Sequence, residues 1–258
     1  MLEALSAEHI TKKFGGLTAV NDVSLHVGEK ELVALIGPNG AGKTTFFNCL
    51  TGVSPATSGT VKIGGEEVKK NMKAYKVAQL GISRTFQNIR LFSELSVLEN
   101  VLIALTNQYK EGFLTSILRL PNYYKTEASM EEHAKRLLKD FELGDVIYFQ
   151  AGNLPYGLQR KVEIVRALAT NPKIICLDEP AAGMNPEETA DLTALIKKIQ
   201  TEYGISVLLI EHDMSLVMNL AERIYVLAEG SLLAEGTPDE IQHNQAVIDA
   251  YLGGGHDE

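Results

Sequence analysis

The fold of this chain is decided by one stretch, Leu32-Val33-Ala34-Leu35-Ile36-Gly37-Pro38-Asn39-Gly40-Ala41-Gly42-Lys43-Thr44-Thr45. Its first five residues form a continuous apolar run, which is typical of a strand buried on both faces of a sheet. The rest matches the pattern Gly-x-x-x-x-Gly-Lys-Ser/Thr, and a helix is predicted from about Lys43 to Leu50. A buried strand, a glycine-rich turn and a helix in this order predict a phosphate-binding loop.

The residue types of this loop suit a nucleotide. Glycines let backbone N–H groups surround an anion, and the helix N-terminus adds partial positive charge. We expect Lys43 to reach the β- and γ-phosphates and the Thr44 hydroxyl to ligate Mg²⁺, with Asn39 and Ala41 serving mainly as loop filler. The candidate nucleotide-binding residues are Gly37, Pro38, Asn39, Gly40, Ala41, Gly42, Lys43, Thr44 and Thr45. Many unrelated enzymes share such a loop, so it predicts the ligand and not the biological role.

A second apolar strand, Ile174–Leu177, ends in two adjacent acids. With a phosphate loop upstream, Asp178 is predicted to hold Mg²⁺, directly or through water. Glu179 is predicted to orient or deprotonate the attacking water. The alternative is an ordinary strand end with two solvated carboxylates.

A third apolar strand, Val207–Ile210, ends in Glu211-His212-Asp213. A lone histidine is usually a surface residue or a satisfied core residue. If this strand lies beside the other two in a parallel sheet, the His212 ring sits at the carboxyl ends of the strands, where ligands bind. Position alone leaves both interpretations of His212 open.

The remaining pattern predicts an α/β protein with a helical insertion. The first forty residues read as strands, a hairpin is expected at Gly64-Gly65, and residues 93–152 are mainly helical, with stripes at Val97–Leu105 and Glu131–Phe141. Strands and helices then alternate over Lys173–Leu177, Pro186–Tyr203, Ser206–Ile210, Ser215–Glu222 and Ile224–Leu227. Asn185 is the expected N-cap of the helix that Pro186 opens. This order favours one α/β domain with a helical block inserted over two tandem domains.

Composition excludes several classes of protein. The chain has 258 residues, 45% hydrophobic and 22% charged, so it is neither disordered nor collagen-like. Its net charge of −9 argues against binding nucleic acid through phosphates. Cys49 and Cys176 lack metal-ligand spacing and are expected to be reduced core residues. No signal peptide is visible, and Ile205–Ile210 is far too short to cross a bilayer, so we expect a soluble intracellular chain.

Together these motifs resemble the nucleotide-binding subunit of ATP-binding cassette (ABC) transporters over essentially the whole chain. The resemblance implies that Phe14, in Lys13-Phe14-Gly15, stacks on adenine. It implies that Gln87, in Arg84-Thr85-Phe86-Gln87, touches Mg²⁺ or water and links the site to the helical block. It also implies that His212 is the switch histidine at the γ-phosphate.

The segment that matches the family signature departs from it. The family pattern is Leu-Ser-Gly-Gly-Gln before a helix, and here residues 154–158 read Leu-Pro-Tyr-Gly-Leu, so only Leu154 and Gly157 fit. Pro155 replaces the serine whose hydroxyl reaches the γ-phosphate from the opposite subunit, and it also removes a backbone donor. The Gly157 N–H is still expected to contribute. Asn185 replaces the usual aspartate after the acid pair.

In these departures the chain is similar to one subfamily, the ATPase subunits of branched-chain amino-acid importers. The similar segments are Tyr156-Gly157, Glu179–Glu188, Arg84–Phe92 and Leu95–Val101, and the extra segment Phe113–Tyr124 is similar to the longer of two paired ATPase subunits. The alternatives are the ATPase of another transporter, for urea or amide uptake or for lipopolysaccharide or lipid export, and a non-transport cassette protein. The last class usually has a coiled-coil insert or a second cassette.

The resemblance implies a RecA-like parallel sheet core, an N-terminal antiparallel β subdomain and an inserted helical subdomain at about residues 93–165. One nucleotide-binding domain would span residues 1–258, with a disordered tail at 253–258. Phe92 and Tyr109 are candidates to line a groove for membrane partners near Gln87, although core packing is the more common fate of such residues.

The resemblance also implies cofactors and partners. ATP and Mg²⁺ would bind between two subunits that face head-to-tail, as a homodimer or heterodimer. The expected partners are a second ATP-binding subunit, transmembrane permease subunits and, indirectly, a solute-binding protein, with no nucleic acid. The expected location is the cytoplasmic face of the inner or plasma membrane.

Overall fold

The computed structural model describes residues 3–106, 108 and 121–252. Tyr109, the tail at 253–258 and most of Phe113–Tyr124 lie outside these residues. The chain divides into two compact units, one formed by Met1–Arg84 with Lys173–Glu258 and the other by Thr85–Pro172. Among the residues that the structure describes, every helix is too short or too polar to span a bilayer.

The first unit contains an antiparallel sheet made from the N-terminal strands. Its strands are β1 (Glu3–Phe14), β2 (Leu17–Gly28), β4 (Ser58–Ile63) and β5 (Glu66–Glu67), in the order β2-β1-β4-β5. The predicted hairpin at Gly64-Gly65 is the turn between β4 and β5, and both glycines have positive φ. Alternate residues of β2, such as Val23, Leu25 and Val27, are fully buried, so one face of this sheet packs on the core.

The second sheet of this unit carries the predicted chemistry. Its strands lie in the order β10-β9-β3-β8-β7-β6 and are parallel except for β10, which pairs antiparallel with β9. Their bounds are β3 Leu32–Ile36, β6 Ile82–Arg84, β7 Ile174–Asp178, β8 Ser206–Ile210, β9 Arg223–Ala228 and β10 Ser231–Gly236. Every residue of β3, β7 and β8 is buried, as their apolar runs predict. Strand β8, which precedes His212, lies between β3 and β7. This confirms the expectation that the three apolar strands are neighbours in one parallel sheet.

The helices of the first unit follow these strands. They are α1 (Lys43–Leu50), α2 (Ala74–Ala78), α6 (Pro186–Thr201), α7 (Met214–Leu220), α8 (Pro238–Gln242) and α9 (Gln245–Leu252). The predicted N-cap is confirmed, because Asn185 Oδ1 accepts hydrogen bonds from the N–H groups of Glu187 and Glu188, 2.9 and 3.0 Å away. Both cysteines are free and buried, as expected, and burial raises the pKa of Cys176 to about 12.

The second unit is helical in its described part. Its helices are α3 (Val97–Leu105), α4 (Pro121–Asp140) and α5 (Tyr156–Leu168), with short 3₁₀ turns at Gly144–Val146 and Ala151–Asn153. α3 has the predicted bounds, whereas α4 begins ten residues before the predicted Glu131. The first half of α4 is mainly polar, so it lacks the apolar stripe from which the helix was predicted. Phe92, expected to pack in the core, is instead 48% exposed, with the Arg166 guanidinium 5.8 Å from its ring.

Candidate functional site

The predicted phosphate loop connects β3 to α1, and its backbone requires glycine at two positions. Gly37 has φ +149°, and a Cβ there would lie 2.1 Å from the Leu227 carbonyl oxygen. Gly42, directly before α1, has φ +93°, and a Cβ there would lie 2.5 Å from the Ala19 carbonyl oxygen. Any side chain at either position would collide with fixed backbone, so the loop path depends on these glycines.

The loop borders a cavity of about 450 Å³. Its wall includes Asn39–Thr45 from the loop, Leu17–Ala19 from β2, Glu229-Gly230, and the two candidate catalytic residues Glu179 and His212. The structure therefore brings three predicted features around one cavity: the loop, the acid after β7 and the histidine after β8. The contribution of Leu17–Ala19 was not predicted, because the hairpin that brings β2 to the loop is a tertiary feature.

Lys43 is 6% exposed, and its ammonium is turned onto the loop itself. Nζ donates hydrogen bonds to the carbonyl oxygens of Gly37 at 2.7 Å and Pro38 at 3.0 Å. Burial lowers the pKa of Lys43, and the negative charge of Glu179 opposes that shift. A phosphate anion at the loop would provide the opposite charge that this desolvated ammonium favours.

Asp178, the last residue of β7, is 5% exposed and ion-paired. Its Oδ2 accepts a hydrogen bond from Arg84 Nη2 at 2.7 Å. The same guanidinium donates through Nη1 to Asn48 Oδ1 at 2.6 Å and to Thr51 Oγ1 at 3.0 Å, near the end of α1. Arg84 thus ties the acid strand to the helix that begins at the phosphate loop. This role of Arg84 is not visible in the sequence, because its partners lie 33 to 94 residues away.

Glu179 follows Asp178 in a left-handed conformation, with φ +46°. This region costs a non-glycine residue about 1–2 kcal/mol. The conformation is held by a hydrogen bond from the Glu179 N–H to the Ile210 carbonyl oxygen, 2.9 Å away. It turns the carboxylate toward His212, whose Nε2 lies 2.6 Å from Glu179 Oε1. The backbone strain is therefore tied to the position of the candidate base.

Glu211, directly before His212, is a buried acid for which the sequence predicted no role. It is 4% exposed, and its Oε1 accepts a hydrogen bond from the Ala181 N–H at 2.8 Å. Its Oε2 accepts a hydrogen bond from the His212 N–H at 3.0 Å. Burial raises the pKa of Glu211, with backbone N–H groups opposing the shift and Glu179 adding to it. One carboxylate thus bridges the loops that carry Glu179 and His212. An acid next to the histidine at a strand end was the available sequence signal.

Phe14 lies at the end of β1 and pairs with Leu17 across the hairpin. Its ring is 53% exposed, and the Lys12 ammonium is 4.9 Å from the ring centroid. An exposed aromatic ring beside a strand that lines the cavity has a free apolar surface to offer a base.

Gln87, Leu154 and Gly157 belong to the second compact unit. The Gln87 carbonyl oxygen accepts a hydrogen bond from Arg160 Nη2 at 2.6 Å. Helix α5 begins at Tyr156, so Gly157 lies in its first turn while Leu154 precedes it. Pro155 occupies the N-cap position with no side-chain cap.

A glycine-rich loop between a buried strand and a helix, with an acid-ended and a histidine-ended strand beside it, defines a P-loop nucleotide-binding protein. Residues 20–182 match the ABC transporter family, and residues 231–257 match the family described as branched-chain amino acid ATP-binding cassette transporter. The chain belongs to the ABC transporter family. It is an ATP-binding and ATP-hydrolysing subunit of the kind that family comprises.

Relatives match nearly the full length of the chain. The high-affinity branched-chain amino acid transport ATP-binding protein BraF of Pseudomonas aeruginosa is 47% identical over 249 residues, covering 96% of this chain and 97% of BraF. The corresponding LivG protein of Escherichia coli K12 is 45% identical with the same coverage. The lipopolysaccharide export system ATP-binding protein LptB of Escherichia coli K12 is 34% identical, covering 98% of each chain.

Solved structures agree in fold. The ADP conformation of MJ1267, an ATP-binding cassette of an ABC transporter, is 34% identical with a TM-score of 0.83, covering 98% of this chain and 100% of that one. The dimeric post-hydrolysis structure of the ATP-binding cassette MJ0796, bound to ADP and Pi, is 27% identical with a TM-score of 0.76, covering 91% of this chain and 98% of that one. The predicted α/β cassette fold is confirmed.

Proposed function

We propose that this chain is the ATPase subunit of an importer for branched-chain amino acids. The chemistry rests on one observation, the pairing of Glu179 and His212 at the wall of the phosphate-loop cavity. The substrate class rests on similarity to proteins named for branched-chain amino acid transport, which reaches 45–47% identity against 34% for LptB. It also rests on the C-terminal match at residues 231–257.

The triphosphate would bind along Gly37–Thr45. Lys43 would leave the carbonyls of Gly37 and Pro38 and donate to the β- and γ-phosphates, because a phosphate anion is a stronger acceptor for a desolvated ammonium than a neutral carbonyl. Backbone N–H groups of the loop and the first turn of α1 would surround the remaining phosphate oxygens. Phe14 would stack on the adenine ring.

The side chains near the loop also fit Mg²⁺. The Thr44 hydroxyl in α1 and the Asp178 carboxylate at the end of β7 are hard oxygen donors of the first unit, and Gln87 would add an amide oxygen. Mg²⁺ commonly uses one or two carboxylates together with substrate phosphates, so a small donor set is sufficient. When bound, this ion would neutralise charge on the phosphates.

Hydrolysis would use the two groups that meet at the wall of the cavity. Glu179 would accept a proton from the attacking water, and His212 would donate a hydrogen bond to the γ-phosphate. The 2.6 Å contact between them would let each side chain orient the other.

A second ATP-binding subunit would complete the site. Leu154 and Gly157 would approach the γ-phosphate bound by the opposite chain, with the N-terminus of α5 supplying partial positive charge. The dimeric structure of MJ0796 supports this assembly, which would be head-to-tail and formed by two copies of this chain or by a pair of different subunits. Closure on ATP and opening after hydrolysis would drive the transport cycle.

The remaining partners would be transmembrane permease subunits that dock on the second unit and, through them, a solute-binding protein. Exposed Phe92 is a candidate for the docking surface. The ATPase would then lie at the cytoplasmic face of the inner or plasma membrane.

Transport by vesicles tests this proposal. The chain would be reconstituted with its permease subunits, and uptake of radiolabelled leucine would be measured with ATP in the compartment that holds the ATPase. We expect uptake of radiolabelled leucine that unlabelled leucine, isoleucine and valine inhibit. The Glu179→Gln variant should show no uptake. Competition by urea or amides alone, or extraction of lipopolysaccharide in place of uptake, would overturn the substrate assignment.

A further inference from the structure

Helix α5 contains a buried ion pair that the proposed chemistry does not use. Arg160 is 0% exposed and Glu163 is 1% exposed. Arg160 Nη1 lies 2.7 Å from Glu163 Oε2, one helical turn away. Both charged groups are therefore removed from water in the second unit.

Both members of the pair hold the backbone of the segment that contains Gln87. Arg160 Nη1 donates to the Phe86 carbonyl oxygen at 2.7 Å, and Nη2 donates to the Gln87 carbonyl oxygen at 2.6 Å. Glu163 Oε1 accepts a hydrogen bond from the Arg90 N–H at 3.0 Å. A planar guanidinium can serve two carbonyls and a carboxylate at once, which a lysine ammonium cannot do with the same geometry.

Stability alone is a poor explanation of this pair. Moving two charges out of water costs several kcal/mol per ion, and apolar residues of similar volume often stabilise a core as well or better. An exposed pair in the same unit shows the contrast. Arg136 and Glu132 on α4 are separated by 3.3 Å, and their side chains are 67% and 77% exposed. Such an exposed pair contributes little to the free energy of unfolding.

We propose that the Arg160–Glu163 pair is a positioning device that fixes the Gln87 segment to helix α5. The segment and the first turn of α5, which carries Gly157, then move as one body. These hydrogen bonds transmit a displacement of Gln87 on nucleotide binding to Gly157. Arg160 and Glu163 therefore act through the backbone and do not themselves contact the nucleotide. The inference rests on the proposed role of Gln87.

The test compares a charge-free pair with wild type. In Arg160→Met/Glu163→Met the volume is roughly kept and both charges are removed, so no unpaired ion is buried. We expect kcat for ATP hydrolysis by the purified full-length chain to fall about tenfold, the loss associated with hydrogen bonds from a charged donor. The Kd for a fluorescent ATP analogue should stay within about twofold, and amide exchange of residues 86–90 should become faster.

A double-mutant cycle separates positioning from a general effect. If the pair acts through Gln87, the same Met substitutions made in a Gln87→Ala background should change kcat by less than about twofold. The matched control, Arg136→Met/Glu132→Met, should leave kcat and the exchange of residues 86–90 at wild-type values. Equal losses of kcat in both backgrounds, or unchanged exchange at residues 86–90, would overturn the inference.

Two further outcomes are distinguishable. If Gln87→Ala alone has wild-type kcat, the proposed role of Gln87 fails and the inference fails with it, whereas equal losses in both backgrounds reject the inference alone. If the Met pair does not fold, Arg160→Lys replaces it. This variant keeps the positive charge beside Glu163 but loses the planar guanidinium that donates to both carbonyl oxygens. The same fall in kcat and the same faster amide exchange are therefore expected. Wild-type values of both would reject the inference.

Discussion

His212 Nε2 and Glu179 Oε1 lie 2.6 Å apart at the carboxyl ends of two adjacent parallel strands. The contact follows from the ladder between β7 and β8, in which Asp178 pairs with Ile210, so the residues after each strand face one another. Glu179 reaches this position through a left-handed backbone conformation. The candidate base and the candidate switch residue thus orient each other.

Glu179→Gln should stop turnover while leaving nucleotide binding intact. The amide keeps the shape of the side chain but cannot accept a proton from water, so kcat should fall by roughly 10²–10⁴-fold. Phosphate release and the Kd for a fluorescent ATP analogue measure the two effects. Glu202→Gln, which alters an exposed acid on the surface near Lys198, is the control. Brisk hydrolysis by the Glu179 variant would contradict the base assignment.

Arg84→Met should destabilise the first unit. It leaves the Asp178 carboxylate, whose side chain is 7% exposed, without its guanidinium and also removes donors to Asn48 and Thr51. Breaking a buried pair costs about 3–5 kcal/mol, which urea unfolding followed by circular dichroism would detect. Arg84→Met/Asp178→Asn should recover part of this loss, because the buried negative charge is removed together with its guanidinium. A single variant as stable as wild type would contradict the expected cost of removing Arg84.

Glu211→Gln should change how stability depends on pH. Burial raises the pKa of Glu211 above its ordinary value of 4.5, so the folded protein holds this proton more tightly than the unfolded chain. The stabilising contribution is fully present below pH 4.5 and is lost as the pH rises through the folded pKa.

The stability advantage of wild type over Glu211→Gln should therefore narrow as the pH rises from 4.5. Urea unfolding at a series of pH values measures it, with Glu202→Gln as the exposed control. A difference that is constant with pH, or that widens, would contradict the raised pKa.

Asn185→Ala should cost about 1 kcal/mol of stability, because α6 loses the oxygen that accepts from the N–H groups of Glu187 and Glu188. Asn185→Asp keeps the acceptor and adds a negative charge at the helix N-terminus, so it should be at least as stable as wild type. Thermal unfolding of the three proteins decides this, and equal midpoints for wild type and the alanine variant would count against the cap.

Pro155→Ser should strengthen ATP-dependent dimerisation. It restores a hydroxyl at the N-cap of α5 and a backbone N–H that proline lacks. Light scattering with ATP in the Glu179→Gln background measures the fraction of dimer. Gln245→Ser, remote in sequence at the start of α9, is the control. An unchanged or smaller dimer fraction would mean that the missing hydroxyl is unimportant in this chain.

Much of the candidate site was predictable because each of its segments directly follows an apolar run in the sequence. The phosphate loop, the acids after β7 and the histidine after β8 each follow a buried apolar run, and parallel strands bring their carboxyl ends to one edge. α1 and α3 also have the predicted bounds. The start of α5 at Tyr156 was harder to predict, because Gly157 in its first turn is a poor helix former.

By itself the sequence determined where strands, turns and caps form and which residue types meet a nucleotide, because these depend on groups within a few residues. Only the tertiary structure decided which partner each buried charge has. Arg84 meets Asp178 across 94 residues, and Arg160 meets Gln87 across 73. A buried ion must find a partner of opposite charge or strong hydrogen bonds. Which groups satisfy that need depends on strand order and helix packing, and local sequence does not encode either.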